Sequence, residues 1–411
     1  MSTDPAPAPD DAEEAPEPLL APAQGVPPVI VAPGEFADAA RELRAGTGPI
    51  ALDTERASGF RYSQRAYLVQ IRRAGSGTYL IDPIDHPDGL AGVIEALDGP
   101  EWVLHAADQD LPCLRELGFT CATLYDTELA GRLLGLHRVN LAAMTAHFLG
   151  RGLRKGHGAA DWSKRPLPDD WLNYAALDVE LLVELRNAMD AQLRDEGKDG
   201  WAAQEFAHIL TRPAPEPRPD RWRRTSNIHS LRTRRQLAAV RELWLARETL
   251  AQARDVAPGR VLPDAAIIDA AQANPTTIDE LTRLKVFGGP RQRRHAHRWL
   301  SALHRAQALS DDELPPRSTP STGLPPINRW EQRNPEAAAR AAVVRPAIVQ
   351  IAESVTVPVE NLLAPELVRQ LCWTGVAATA DAVDEALAAG AARPWQRELT
   401  RDAIAAALRQ L

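Results

Sequence analysis

PIALDTE (residues 49–55) is a short apolar run that ends on two acids, Asp53 and Glu55, with one residue between them. Its length and composition suit a buried strand. Side chains alternate faces along a strand, so the two carboxylates point the same way. Like charges side by side are costly unless a cation sits between them. A D-x-E at a strand end that simply meets water is the ordinary alternative. Two more strand-like runs follow, AYLVQIRR (66–73) and GTYLIDPI (77–84), separated by a Gly- and Ser-bearing turn. The three predict an antiparallel meander.

Outward from this core the patterns alternate. EFADAARELRAG (35–46) reads as a helix ending at Gly46, LAGVIEALDG (90–99) as another, and EWVLHAAD (101–108) as a further buried strand. DLPCLRELG (110–118) is a helix closed by Gly118. TLYDTELAGRLLG (123–135) runs from strand into helix, and NLAAMTAHFLG (140–150) is helical. DDWLNYAALDVELLVELRNAMDAQL (169–193) predicts one long helix. A mixed sheet of about five strands flanked by helices makes an α/β domain over residues 35–212. Residues 1–34, rich in Pro, Ala and acid, read as a disordered tail.

After TRPAPEPRPD (211–220), a Pro-rich linker, only helical patterns remain. One all-helical segment covers 222–308, where Leu237, Val240, Trp244 and Leu245 recur at helical spacing and predict a core stripe. A second linker occupies 311–326, and another all-helical segment runs from 327 to 411. The net charge of -8 hides an asymmetry: -15 over residues 1–210, +10 over 211–310 and -3 over 311–411. A +10 segment in an acidic chain attracts polyanions, with a solvated helical surface as the plainer reading.

Composition narrows the classes. Hydrophobic residues at 45% and charged residues at 25% exclude wholesale disorder. Cys113, Cys121 and Cys372 are too few and scattered for a disulfide framework or a Cys-rich zinc site. No apolar run approaches the ~20 residues of a membrane span, and no Lys or Arg precedes Arg41. A cytoplasmic protein without membrane partners is expected.

Two further pieces join Asp53 and Glu55. Tyr174 and Asp178, four apart, share one face of a mostly apolar helix, where an acid needs a partner. In LHAADQDL (104–111), Asp108 and Asp110 both stand near a helix start. Only one can be the N-cap, which leaves the other carboxylate free. Four such acids suit hard divalent cations, which prefer oxygen ligands. A pair of Mg²⁺ or Mn²⁺ ions roughly 3.5–4 Å apart is an arrangement that clamps a scissile phosphate.

The order ALDTE (51–55), LHAADQDL (104–111), YAALD (174–178) resembles the DEDD exonuclease superfamily in its tyrosine-bearing branch, and more narrowly the ribonuclease D family. LVQI (68–71), LYDTELAGRLLG (124–135) and KGHGAADWSKRPL (155–167) support the match. The resemblance selects Asp110 over Asp108. It implies an α/β ribonuclease H-like exonuclease domain with a five- to six-stranded mixed sheet, followed by two all-α HRDC-type domains. It also implies hydrolysis of RNA from a free 3′ end to nucleoside 5′-monophosphates, with transfer-RNA precursors as substrate. In that picture Asp53, Glu55, Asp110 and Asp178 hold two divalent metal ions and Tyr174 orients the nucleophile. Gln70 matches a position facing the bound nucleotide; a plain polar strand residue is its alternative. Asp126 is read as structural and His105 as a packed histidine.

Residues 222–308 resemble an HRDC domain through Leu237 to Trp244, ARDVAPGRVLPDAAI (253–267) and VFGGP (286–290). Arg232, Arg234 and Arg235 near its start, and Arg291, Arg293, Arg294 and Arg298 near its end, are the expected phosphate contacts. Residues 327–411 resemble a second, divergent domain of this type, with Trp373 and Trp395 in its core. Two alternatives stay open: a DNA-directed 3′–5′ exonuclease in repair, and a non-catalytic RNA-binding scaffold.

Overall fold

The central strands form a six-stranded sheet in the order Val29–Ile30, Gly77–Ile81, Ala66–Ala74, Thr47–Arg56, Trp102–Leu104, Leu124–Asp126. The computed structural model describes residues 15–153, 156–213, 218–318 and 323–411. Strands are β1 (Glu17–Leu19), β2 (Val29–Ile30), β3 (Thr47–Arg56), β4 (Ala66–Ala74), β5 (Gly77–Ile81), β6 (Trp102–Leu104), β7 (Leu124–Asp126) and β8 (Arg151–Leu153). β3, β4 and β5 are the antiparallel meander, and β6 and β7 extend it in parallel beyond β3. β3 lies inside the sheet with helices on both faces, so Ile50, Ala51 and Leu52 are all buried and the run shows no alternation.

Two expectations within this domain are corrected. The tail is not unstructured through residue 34. β1 pairs in parallel with β8, β2 pairs with β5, and the first helix starts at Pro33. Ala23 N donates to Glu180 Oε1 (3.0 Å), and Asn173 Nδ2 donates to Leu20 O (2.9 Å). Exposed strand edges accept any backbone, so a segment with little to bury can still be ordered by its main chain. Residues 1–14 of that expected tail lie outside the described residues. The long helix is also two, Asp169–Glu180 and Leu182–Asp195, broken at Leu181 (φ -111, ψ 4). The break lets the first half cross β3, β4 and β5 while the second packs against β3 and β6.

The helical segments differ in how they attach. The C-terminal helices, from Trp330 to Leu408, share one continuous apolar core with the sheet. Trp395 stacks on Trp201 (4.9 Å between centroids) and donates to Glu205 Oε1 (2.8 Å). Gly135 (φ +73) fits because a Cβ there would stand 2.5 Å from the Thr356 carbonyl. The segment after the first linker instead has its own core, around Leu237, Val240, Leu243 and Trp299. Its main helix, Arg234–Arg254, opens with a Thr233–Gln236 capping box. Leu245, expected in the core stripe, is 45% exposed, because Leu243 and Ala246 take the inward positions. The middles of both Pro-rich linkers, 214–217 and 319–322, lie outside the described residues. The ends of the second are docked, with Leu314 in the helical core and Trp330 Nε1 donating to Pro325 O (2.7 Å). Among the described residues no helix is long and apolar enough to cross a membrane.

Candidate active site

β3 delivers Asp53 and Glu55 to the face crossed by the helix Asp169–Glu180, which returns Tyr174 and Asp178 to the same place. One carboxylate oxygen from each of Asp53, Glu55 and Asp178 lies within 4.8 Å of the others. Asp110 joins from the far side of β3. The chain leaves β6 through Ala106 in the left-handed region (φ 59) and a short turn over Ala107–Gln109, reaching the helix Leu111–Glu116. Asp126 holds this turn by accepting from Ala106 N (3.1 Å) and Ala107 N (2.9 Å) while capping the helix Thr127–Leu133. Asp110 holds the N-cap position of the helix Leu111–Glu116, yet among the described residues its side chain makes no cap hydrogen bond. It is 4% exposed, accepts from Thr54 Oγ1 (2.6 Å), and lines an open cleft of about 650 Å³ together with Asp53, Glu55, Tyr174 and Asp178. Asp108 pairs with Arg212 on the surface (2.6 Å).

Burial dominates the electrostatics of this cluster. Desolvation, then repulsion from Asp110, Asp178 and Glu55, holds the Asp53 carboxyl well above the ordinary carboxylate range. Glu55 is pushed up to about 9 by burial and then by Asp178 and Asp110. Asp178 is raised to about 7 by burial, and Asp110 to about 6 by burial, with the Thr54 hydroxyl pulling it down. The Tyr174 phenol is driven far above its usual value by burial and by the charges of Asp178, Glu55 and Asp53. Four acids that resist ionising together, presenting oxygen donors alone, match what a hard divalent cation binds. His105 is half-buried at the wall of the cleft, its Nδ1 lies 3.0 Å from Thr127 Oγ1, and desolvation lowers it to about 4, so it stays neutral.

Tyr174 is seated by aromatic contacts and by glycine. Trp162 packs on Trp171 (5.3 Å) and on Tyr174 (6.5 Å), and Gly156 lies so close to the Tyr174 ring that any Cβ would overlap it. That explains Gly156 of KGHG; Lys155 of that motif lies outside the described residues.

Other expected contacts sit differently. Gln70 is fully buried opposite Asp53 on a central strand, and among the described residues its amide atoms have no hydrogen-bond partner. It lies outside the cleft, because the helix Asp169–Glu180 covers β4. Arg234 and Arg235 are not free for phosphate. Arg234 donates to the carbonyls of Leu314, Asp311 and Pro315, and Arg235 to those of Leu309, Gln307 and Ala306, so Arg235 ties down the end of the helix Ala296–Ala308 and Arg234 the chain after it. Arg291 donates to Arg260 O (3.1 Å) and is otherwise exposed. Arg232, Arg293, Arg294 and Arg298 are exposed, and no ion pair engages their side chains among the described residues. The sequence reading missed Arg56, His137 and Arg138, which also line the cleft. The available signal was a basic pair, His137-Arg138, directly after the turn at Gly135.

Comparison with known proteins agrees with this geometry. A family model described as a 3′-5′ exonuclease matches residues 29–194, an HRDC domain model matches 236–303, and a model described as a 3′ to 5′ exonuclease C-terminal domain matches 323–408. Ribonuclease D of Gluconacetobacter diazotrophicus is 33% identical over 277 residues, covering 65% of this chain and 68% of that protein. Ribonuclease D of Acidiphilium cryptum is 31% identical, covering 73% and 77%. A crystal structure of a protein from Bifidobacterium adolescentis superposes with a TM-score of 0.87 at 38% identity, over 96% of this chain and 100% of that one. Escherichia coli RNase D, at 24% identity, shares the fold with a TM-score of 0.64 over 93% and 98%. The chain belongs to the ribonuclease D family and is a 3′–5′ exoribonuclease.

Proposed function

We propose that this chain trims structured RNAs, transfer-RNA precursors among them, by a two-cation hydrolysis in the cleft between β3 and the helix Asp169–Glu180. The observation that carries the reading is the convergence of Asp53, Glu55 and Asp178 within 4.8 Å, with Asp110 across the same cleft. Escherichia coli RNase D is described as an exoribonuclease involved in structured RNA processing, which supports the substrate class.

Asp53, Glu55, Asp110 and Asp178 would hold the cations. Bound divalent ions at such a site activate water and neutralise charge on the scissile phosphate. The carboxylates supply the negative charge that retains those ions. Tyr174, one turn before Asp178, presents a phenol that stays protonated; its O–H reaches the Asp178 carboxylate, where it would orient the attacking water. The water oxygen bonds to phosphorus as the bond to the 3′ oxygen of the preceding nucleotide breaks. The shortened RNA keeps a 3′ hydroxyl, and a nucleoside 5′-monophosphate leaves. Purified chain with Mg²⁺ or Mn²⁺, offered RNA and DNA oligomers with free or blocked 3′ ends, tests this. Mononucleotide release from free-ended RNA is expected. Preference for DNA, or tight binding with no turnover, would overturn it.

A further inference from the structure

The segment ARDVAPGR (253–260) lies in the separate helical domain, yet its contacts reach the loop that leaves the active-site strand. The helix Arg234–Arg254 ends on Asp255 in the left-handed region (φ 47). This turns the Asp255 carboxylate toward residues 63–67: Oδ1 accepts from Ser63 N (2.8 Å), and Oδ2 accepts from the Tyr67 hydroxyl (3.2 Å). Two residues on, Ala257 N donates to Phe60 O (3.0 Å), and Arg260 Nε donates to Gly59 O (2.8 Å) with its guanidinium 4.0 Å from the Phe60 ring centroid. Tyr62, on the same loop, packs against the core of the helical domain. One short stretch of the helical domain therefore grips residues 59–67 at several points, two of them main-chain to main-chain or main-chain to guanidinium.

The loop so held is continuous with the site. Glu55 is followed by Arg56 and Ser58, which line the cleft, and the β3–β4 register shifts between Glu55 and Arg56. On its other flank Arg61 Nε donates to Ser163 Oγ (2.7 Å), and Ser163 donates to Asp161 Oδ1 (2.6 Å). That segment begins with Gly156, which is pressed against the Tyr174 ring. The grip thus reaches both the strand end that carries Glu55 and the packing behind Tyr174.

We propose that Asp255 is a positioning residue: through the 59–67 loop, the helical domain sets the geometry of the catalytic cleft, in addition to any RNA it binds. The inference rests on the carboxylate site proposed above. A domain that serves only as an RNA anchor changes the affinity of long substrates and leaves a substrate too short to reach it alone. A domain that braces the cleft changes turnover of both, since misplacement of reacting groups by about 1 Å costs on the order of 100-fold.

The test uses the full chain with Mn²⁺ and two probes, a 5′-phosphorylated diribonucleotide and a 20-nucleotide RNA with a free 3′ end. Asp255→Gly removes the carboxylate while keeping a residue at ease in the left-handed region. Asp255→Asn keeps an acceptor for Ser63 N. Tyr67→Phe removes one bond of the grip at a site where the ring packing survives. The expected result is a fall of about 10-fold in kcat on the diribonucleotide for Asp255→Gly with KM within twofold, recovery to within threefold for Asp255→Asn, and a smaller fall for Tyr67→Phe. The wild-type rate on the diribonucleotide reports on the carboxylate site, and the ratio of variant to wild type reports on the grip. Diribonucleotide kcat unchanged in both Asp255→Gly and Tyr67→Phe, with only the KM of the long RNA raised, would overturn the proposal. Should Asp255→Gly not fold, the Tyr67→Phe kcat alone decides it.

Discussion

Thr54 Oγ1 donates to Asp110 Oδ1 at 2.6 Å, joining the residue between the two strand acids to the acid delivered by the next strand. Thr54 points away from Asp53 and Glu55 because strand side chains alternate. The bond therefore fixes Asp110 from behind and leaves its second oxygen for the cleft. Thr54→Val keeps the shape and removes the donor, leaving a buried carboxylate oxygen unpaired at a cost of about 1–3 kcal/mol. Activity should fall on the order of 10-fold, and Thr54→Ser should retain most of it. Steady-state rates on a short RNA and a thermal melt of each variant check both halves.

Asp53→Asn should lower turnover by more than about 1,000-fold, since one of three converging donors is lost. It should not unfold the protein. Asp53 is half-buried, desolvated and repelled by three other acids, so a neutral amide in its place should raise the melting temperature of the metal-free protein at neutral pH. Cleavage by a well-folded Asp53→Asn protein at more than a hundredth of the wild-type rate sinks the metal-site reading.

The same carboxyls make metal-free stability depend on pH, with a definite sign. Each holds its proton more tightly in the folded state, so that state binds more protons than the unfolded chain. Stability is then fully present below the ordinary carboxylate range and falls as pH rises through about 6 for Asp110, about 7 for Asp178 and about 9 for Glu55. Melts in a chelator between pH 5.5 and 9 should show this decline, and Asp178→Asn should flatten it. Mn²⁺ should reverse it, giving a larger gain in melting temperature at pH 8 than at pH 6, because cations compete with these protons. A chelated protein that grows more stable across this range counts against the buried cluster.

The arginines of the basic segment should separate into two behaviours. Arg234→Ala should lower thermal stability, because its guanidinium joins the helix Arg234–Arg254 to the Leu314 region. A combined Arg293→Gln, Arg294→Gln, Arg298→Gln variant should keep its melting temperature and bind RNA more weakly. If each contacts one phosphate, the slope of log affinity against log salt should shrink by about 2, at ~0.7 per contact on a single strand. Fluorescence anisotropy with a labelled RNA across a salt series measures this; an unchanged slope places the phosphate contacts elsewhere.

Much of the architecture is written in local pattern. The acids of PIALDTE share a face because strands alternate, Tyr174 and Asp178 because helices repeat every 3.6 residues, and neither relation needs the rest of the chain. The order of the three motifs was enough to point to the family, and the switch to purely helical patterns after residue 220 to the helical segments. Tertiary structure decided what depends on partners distant in sequence. Asp110 rather than Asp108 faces the cleft because Thr54 holds one and Arg212 the other. Gln70 is sealed off because a helix a hundred residues later crosses its strand. Arg234 and Arg235 turn inward because the chain after the helix Ala296–Ala308 brings unpaired carbonyls to them. Residues 17–30 gain order from strand edges that their own composition does not announce. Periodicity is a property of neighbours along the chain, whereas burial and hydrogen-bond partnership are set by whichever segments fold against each other.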